Sequence, residues 1–135
     1  MNRQAREADR RRRRQERGRE GHRAGHGGEV IAAILLMCKG WQILGFRLRT
    51  REGEIDLLAR RGRVLAVVEV KRRPTIEDAL LALGPAQKQR LLSAGRSLIA
   101  SRPALRQLNL RLDLIALAPG RFPRHVSNLL AEHSF

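Results

Sequence analysis

Two apolar runs, Glu54 to Arg60 and Val64 to Arg72, flank the tripeptide Arg61-Gly62-Arg63. A glycine-first pair between two strand-like runs suits a two-residue type II′ loop, because glycine takes the positive φ that the first loop position demands. Such a loop fixes register, so residues facing each other across Gly62-Arg63 have numbers that sum to 125. The centre of the chain is thereby committed to an antiparallel hairpin with Asp56 opposite Glu69 and Glu54 opposite Lys71. Side chains alternate along a strand. One face of the hairpin therefore gathers Glu54, Asp56, Glu69 and Lys71, and Leu58, Val67 and Leu65 continue that face toward the loop.

The flanking segments predict an α/β domain. Glu29 to about Lys39 is apolar nearly all round and closes on Gly40, which predicts a buried helix with a glycine C-cap. Gln42 to Arg51 places Ile43, Leu44, Phe46 and Leu48 among Arg47, Arg49 and Arg51, as in an edge-like strand, and Glu52-Gly53 turns the chain into the hairpin. After Pro74, Thr75 is a good N-cap with Glu77 and Asp78 in the first turn, predicting a short helix through Leu83 that Gly84-Pro85 breaks. From Pro85 to about Ala100 a second helix sets Leu91, Leu92, Ala94, Leu98 and Ile99 along one face, with Lys88, Arg90 and Arg96 reaching solvent. Leu108 to Ala118 alternates as a fourth strand, with Asn109, Arg111 and Asp113 on its polar side. The segment from Pro119 carries no clear pattern, and there is no internal repeat.

Charge narrows the partners. The 135 residues carry 28 Lys and Arg against 13 Asp and Glu, a formal +15, which favours a polyanion, nucleic acid before a membrane surface. Residues 1–20 hold nine of the arginines and almost nothing apolar, and Gly21, Gly25, Gly27 and Gly28 follow. This composition predicts a disordered Arg-rich arm over 1–26 and a folded domain over 27–135. The domain keeps a net charge near +10, so affinity for phosphate does not rest on the arm alone. Cys38 is a single cysteine, which excludes an internal disulfide, and with four histidines it offers no zinc spacing. A reducing, cytoplasmic setting fits. The longest apolar run, Val30 to Cys38, is too short to span a bilayer. It also opens on Glu29 and lacks a small-residue cleavage site, so the Arg-rich start is not read as a secretory signal.

Two carboxylates opposite one another on a sheet face repel. A divalent cation offsets that repulsion, and hard oxygen ligands suit Mg²⁺ or Mn²⁺, which clamp a scissile phosphate and acidify water. The bland alternative is an ordinary cross-strand ion pair between Glu54 and Lys71 with Asp56 in solvent. Only Lys39, Lys71 and Lys88 among the 28 basic residues are lysines. Lysine can give up a proton where arginine cannot, so its use at position 71 carries weight.

Gly53-Glu54-Ile55-Asp56-Leu57-Leu58, followed by Val68-Glu69-Val70-Lys71-Arg72-Arg73, resembles the YraN-like family of predicted endonucleases in the PD-(D/E)xK nuclease superfamily. Gly28-Glu29, Ala33, Gly40, Ile43-Leu44, Lys88-Gln89-Arg90 and Arg111-Leu112-Asp113 extend the resemblance over most of residues 27–117. It implies a restriction-endonuclease-like core similar to Holliday-junction resolvases, with a mixed central sheet, an antiparallel three-strand start and flanking helices. It further implies Asp56, Glu69, the Val70 carbonyl and Glu29 as ligands of Mg²⁺ or Mn²⁺, and Lys71 as the catalytic lysine. Glu29 reads equally as a helix N-terminal acid facing the macrodipole. Lys88 would contact phosphate, with Arg72, Arg73 and Arg90 completing the nucleic-acid surface. The implied substrate is DNA before RNA, branched or flapped forms included; a binding module that does not cut is the rival. Trp41 and three Phe with no Tyr leave little for base stacking in either case. Resolvases pair as homodimers, and by that analogy an exposed first strand or apolar helix face would pair two copies.

Overall fold

A computed structural model describes residues 2–129, without the side chains of residues 12–26. The elements run α1 (Arg3–Cys38), β1 (Gln42–Thr50), β2 (Gly53–Arg61), β3 (Val64–Arg72), α2 (Ile76–Leu81), α3 (Pro85–Ser101), a 3₁₀ turn (Pro103–Leu105), β4 (Asn109–Leu117) and β5 (Arg124–Val126). The hairpin forms as its loop dictates. Gly62 has φ +61°, Arg63 keeps a negative φ, and pairing runs from Arg61 opposite Val64 to Leu57 opposite Val68.

The sheet order is β1-β2-β3-β4-β5, antiparallel through the first three strands, with β4 parallel to β3 and β5 antiparallel to β4. The long connection that a parallel pair requires is supplied by α2 and α3. One face of the sheet packs on α1, where Ala32, Ala33 and Leu36 meet Leu57, Ala59, Ala66, Val68 and Ile115. The other packs on α3, where Leu91, Leu92, Ala94 and Leu98 meet Leu58, Leu65, Val67, Leu112 and Leu114. Burial on both faces explains why the central strands read as nearly continuous apolar runs. The α/β core with a mixed sheet and flanking helices is the expected architecture.

Several local features follow from single residues. Gly40, at φ +88°, ends α1: its N–H donates to the Met37 carbonyl while the Trp41 N–H donates to the Leu36 carbonyl, both at 3.0 Å. This is the paired closure that a left-handed glycine permits. Thr75 caps α2 by accepting from the Asp78 N–H at 3.1 Å.

Four expectations change. The helix read as starting at Glu29 begins at Arg3, where Asn2 Oδ1 accepts from the Ala5 N–H at 2.9 Å. Poverty in apolar residues argues against a core, but arginine, alanine, glutamine and glutamate are good helix formers, so Arg3 to Arg11 is helical where a disordered arm was expected; the rest of the arm, Met1 and residues 12–26, lies outside the fully described residues. Second, the apolar run on α1 is buried on one side only, and Val30, Ile31, Ile34 and Met37 stay about half exposed. Third, a short fifth strand, β5, forms against β4 in the segment after Pro119. Fourth, Asp113 on the presumed polar side of β4 is fully buried. Its carboxylate accepts from Arg111 Nε and a second guanidinium nitrogen at 2.8 and 2.9 Å, sits 2.7 Å from His125 Nε2, and accepts from the Asn128 N–H at 3.0 Å. Burial pushes this carboxyl up, but His125, Arg111 and the Asn128 N–H outweigh it and hold it below the usual range. This buried acid anchors the segment after Pro119, which has no pattern of its own. Lys39 Nζ lies 3.0 Å from His125 Nδ1, so a neutral imidazole carrying its proton on Nε2 satisfies both contacts.

The approach of α3 to the sheet is set by Gly95, where a Cβ would lie 2.9 Å from Val67 Cγ2 and from Leu110 Cδ1. Gly95→Ala gains helix propensity of about 1 kcal/mol but overpacks a buried contact at a cost of roughly 1–3 kcal/mol. A net loss of about 1 kcal/mol is expected in urea unfolding.

Candidate active site

The site is built where the hairpin comes apart. The β2–β3 ladder stops at Leu57 opposite Val68, one step before Asp56 would meet Glu69. Beyond that point β3 continues against β4, with Glu69 beside Leu114 and Lys71 beside Ala116, while β2 continues against β1. The Val70 N–H, left without a strand partner on the β2 side, donates to Asp56 Oδ2 at 2.9 Å. The carboxylate thus stands in for a backbone acceptor in the seam between two strands.

Glu69 is buried at 7% exposure, and Lys71 Nζ lies 3.2 Å from its Oε1. The two share a strand face with Val67, as alternation requires. Burial, and then the neighbouring Asp56, push Glu69 up to about 7 against the attraction of Lys71. Asp56 is also raised, by burial first, with the Val70 N–H opposing. The two carboxyls act on one another across the seam, and the charge of Asp56 adds to the effect of burial in raising Glu69.

An open cleft of about 180 Å³ adjoins Glu69 and is lined by Glu52, Gly53, Glu54, Gln87, Arg90 and Leu91 as well. Glu52, which sequence reasoning did not single out, has its Oε2 buried with no hydrogen-bond partner beside this cleft. Its carboxyl lies below the usual range, held first by a hydrogen bond from Ser97 of α3. Only its place in the Glu52-Gly53 turn hints at it.

The structure brings Asp56, Glu69, Val70 and Lys71 together, though by a seam rather than by the ladder pairing that the loop arithmetic extrapolates. The expected pairing of Glu54 with Lys71 is absent; Glu54 Oε2 instead lies 3.8 Å from Arg49 Nε, an exposed contact. Glu29, 8% exposed, sits on α1 against the other face of the sheet, with Arg47 Nε 3.1 and 2.9 Å from its two oxygens. Among the described residues, no three His, Cys, Asp or Glu side chains converge closely enough to hold a metal ion. Arg90 lines the Glu69 cleft. Lys88 lines a neighbouring one of about 230 Å³ with Arg124, Leu80, Leu83, Leu114 and Leu129. Arg72 and Arg73 are exposed at the end of β3, where the Arg73 N–H donates to the Leu117 carbonyl at 3.0 Å.

Residues 28–117 match an uncharacterised protein family, UPF0102. The chain is similar to a UPF0102 protein of Caulobacter vibrioides (strain NA1000 / CB15N), 62% identical over 113 residues that cover 84% of this chain and 90% of that protein. A UPF0102 protein of Chelativorans sp. (strain BNC1) is 44% identical over 110 residues, 82% of this chain and 89% of the relative. One from Parvibaculum lavamentivorans (strain DS-1 / DSM 13023 / NCIMB 13966) is 43% identical over 111 residues, 82% and 84% of the two chains.

The raised carboxyl has a consequence for stability. Glu69 binds its proton more tightly folded than unfolded, so its contribution is fully present below the ordinary carboxylate range near 4.5 and is lost as pH rises through about 7. In EDTA, unfolding free energy should fall by about 3 kcal/mol across that window. Glu69→Gln, neutral throughout, should flatten the fall in urea titrations.

Proposed function

The chain belongs to the uncharacterised family UPF0102, and from the chemistry that its fold assembles we propose that it is a metal-dependent nuclease hydrolysing phosphodiester bonds in DNA, branched and flapped forms included, in the cytoplasm. The observation that carries this reading is the Asp56–Glu69 pair, with Glu69 buried and Asp56 partly buried beside it. Two carboxyls brought together there, with Glu69 pushed up to about 7 by burial and then by Asp56, are a local deficit of positive charge. The donor set fits a hard divalent cation: Mg²⁺ keeps several waters and needs only one or two carboxylates. The unpartnered Glu52 Oε2 at the same cleft supports the reading.

Asp56, Glu69 and the Val70 carbonyl would hold Mg²⁺ or Mn²⁺, which supplies Lewis-acid polarisation of the scissile phosphate and acidification of water. Asp56 is fixed for that role by the Val70 N–H, and Glu69 by Lys71. The Lys71 ammonium lies within the site, where it stabilises negative charge building on the phosphate and orients the attacking water through a donated hydrogen bond. Arg90 reaches the cleft from α3 and holds an adjoining phosphate. Arg72 and Arg73, with Lys88 and Arg124 on the next cleft, extend a basic track for the backbone, so binding is sequence-independent and salt-sensitive. Among the described residues no helix is long and apolar enough to cross a membrane.

Titration with Mn²⁺ tests the site. Asp56→Asn and Glu69→Gln are each expected to weaken binding at least about tenfold. On linear, flap and four-way DNA, Lys71→Ala should lower cleavage by about 10²–10⁴ without abolishing Mn²⁺ binding. Equal trace cleavage by wild type and Lys71→Ala, alongside salt-sensitive DNA binding, would instead identify a module that binds without cutting.

A further inference from the structure

The faces of β1 and β2 exchange at one level of the sheet. In regular strands, residues two apart share a face. Yet Leu57 packs in the core under α1 while Ile55 packs in the core under α3. Their β1 partners follow: Phe46 pairs with Leu57, and Leu48, which pairs with Ile55, packs toward α3. Both strands therefore flip between these two pairs, at Arg47 on β1 and Asp56 on β2, the residues that lie between the paired positions.

The flip has a visible cause on the β1 side. Arg47 has φ +48°, a left-handed conformation uncommon for a non-glycine residue and one that persists only where surrounding contacts impose it. Its Nε lies 3.1 and 2.9 Å from both oxygens of Glu29, and the pair is largely buried, with side chains 23% and 11% exposed. Glu29 is itself tied down, because Gly28 beside it lies so close to the sheet that a Cβ there would be 3.1 Å from Leu117 Cδ1 and 3.6 Å from Val70 Cγ1. Helix α1 thus grips the kink of β1 at the level of Val70.

We infer that the Glu29–Arg47 ion pair is a positioning device for Asp56: by holding the left-handed turn of β1 it enforces the matching flip of β2 that rotates the Asp56 carboxylate into the seam, onto the Val70 N–H and beside Glu69. Glu29 then acts through Arg47 instead of as a ligand, which agrees with its place on the α1 side of the sheet and with the absence, among the described residues, of a three-acid cluster. The consequence for metal affinity rests on the nuclease reading; the geometry does not.

Amide hydrogen exchange measured by NMR tests this without metal. In Arg47→Gln and in the isosteric Glu29→Gln, the Val70 amide should exchange at least tenfold faster, while Ala66 and Val67 in the intact ladder keep their wild-type rates and so report that the fold persists. Mn²⁺ affinity should fall about equally in the two variants, with the double variant no weaker than the weaker single, since one device is removed once. Unchanged Val70 exchange in both variants overturns the inference. So does a Glu29→Gln protein that loses Mn²⁺ while Arg47→Gln binds it as well as wild type, because Glu29 would then be a direct ligand. If wild-type protein takes up no Mn²⁺, the nuclease reading falls, and Val70 exchange still decides whether the pair positions Asp56.

Discussion

A backbone N–H in a sheet interior must find an acceptor, and leaving one orphaned costs about 1–3 kcal/mol. At Val70 the neighbouring strand has turned away, and the acceptor is the carboxylate of Asp56. The arrangement of the site depends on this substitution. β3 needs β4 on one side along its whole length, from Val64 beside Asn109 to Arg72 beside Leu117, whereas β2 leaves it after Leu57. The gap that results is closed by the Asp56 carboxylate, the same group that the proposed function assigns to the metal. An amide side chain at position 56 could still accept from Val70, so the hydrogen bond and the charge are separable properties of the same residue.

The two sides of the sheet divide the labour. The α3 side carries Glu69, Lys71, Arg90 and the cleft; the α1 side carries the supports, Glu29 with Arg47 and Asp113 with Arg111 and His125. Trp41 closes the far end of that side between the guanidinium groups of Arg61 and Arg111, 4.7 and 5.0 Å from its ring centre. In a chain so rich in arginine, the buried acids Glu29 and Asp113 each engage one of them, and Glu69 engages a lysine. The remaining cations are left mostly at the surface, where a polyanion can reach them.

The hairpin, its register near the loop, the Gly40 stop, the Thr75 cap and the acids at 56 and 69 were legible because each rests on local chemistry: a turn type, a cap or a two-residue period. What lay outside that reach depends on contacts distant in sequence. Extrapolating the register past Leu57 presumed an unbroken ladder, and only the departure of β2 toward β1 shows where it stops. Asp113 has the period of a polar-face residue, and nothing nearby announces that His125 and Asn128 return to cover it. β5, three residues long, has no period to detect. Glu52 looked like a turn residue, and only α3 folding over it makes it part of a cleft. The left-handed Arg47 carried no signal, as neither glycine nor asparagine marks the spot.

The edges of the sheet have a consequence for assembly. An exposed, regular edge strand is a template on which further chains pair. β1 offers none: its register shifts between Ile43 and Gly45, Arg47 turns the backbone out of line, and Arg49 adds charge. The opposite edge, β5, spans only Arg124–Val126. Both borders are thus too irregular or too short to nucleate edge-to-edge polymerisation. A chain whose central strands are as apolar as an aggregation-prone segment can therefore keep them in a sheet that does not grow.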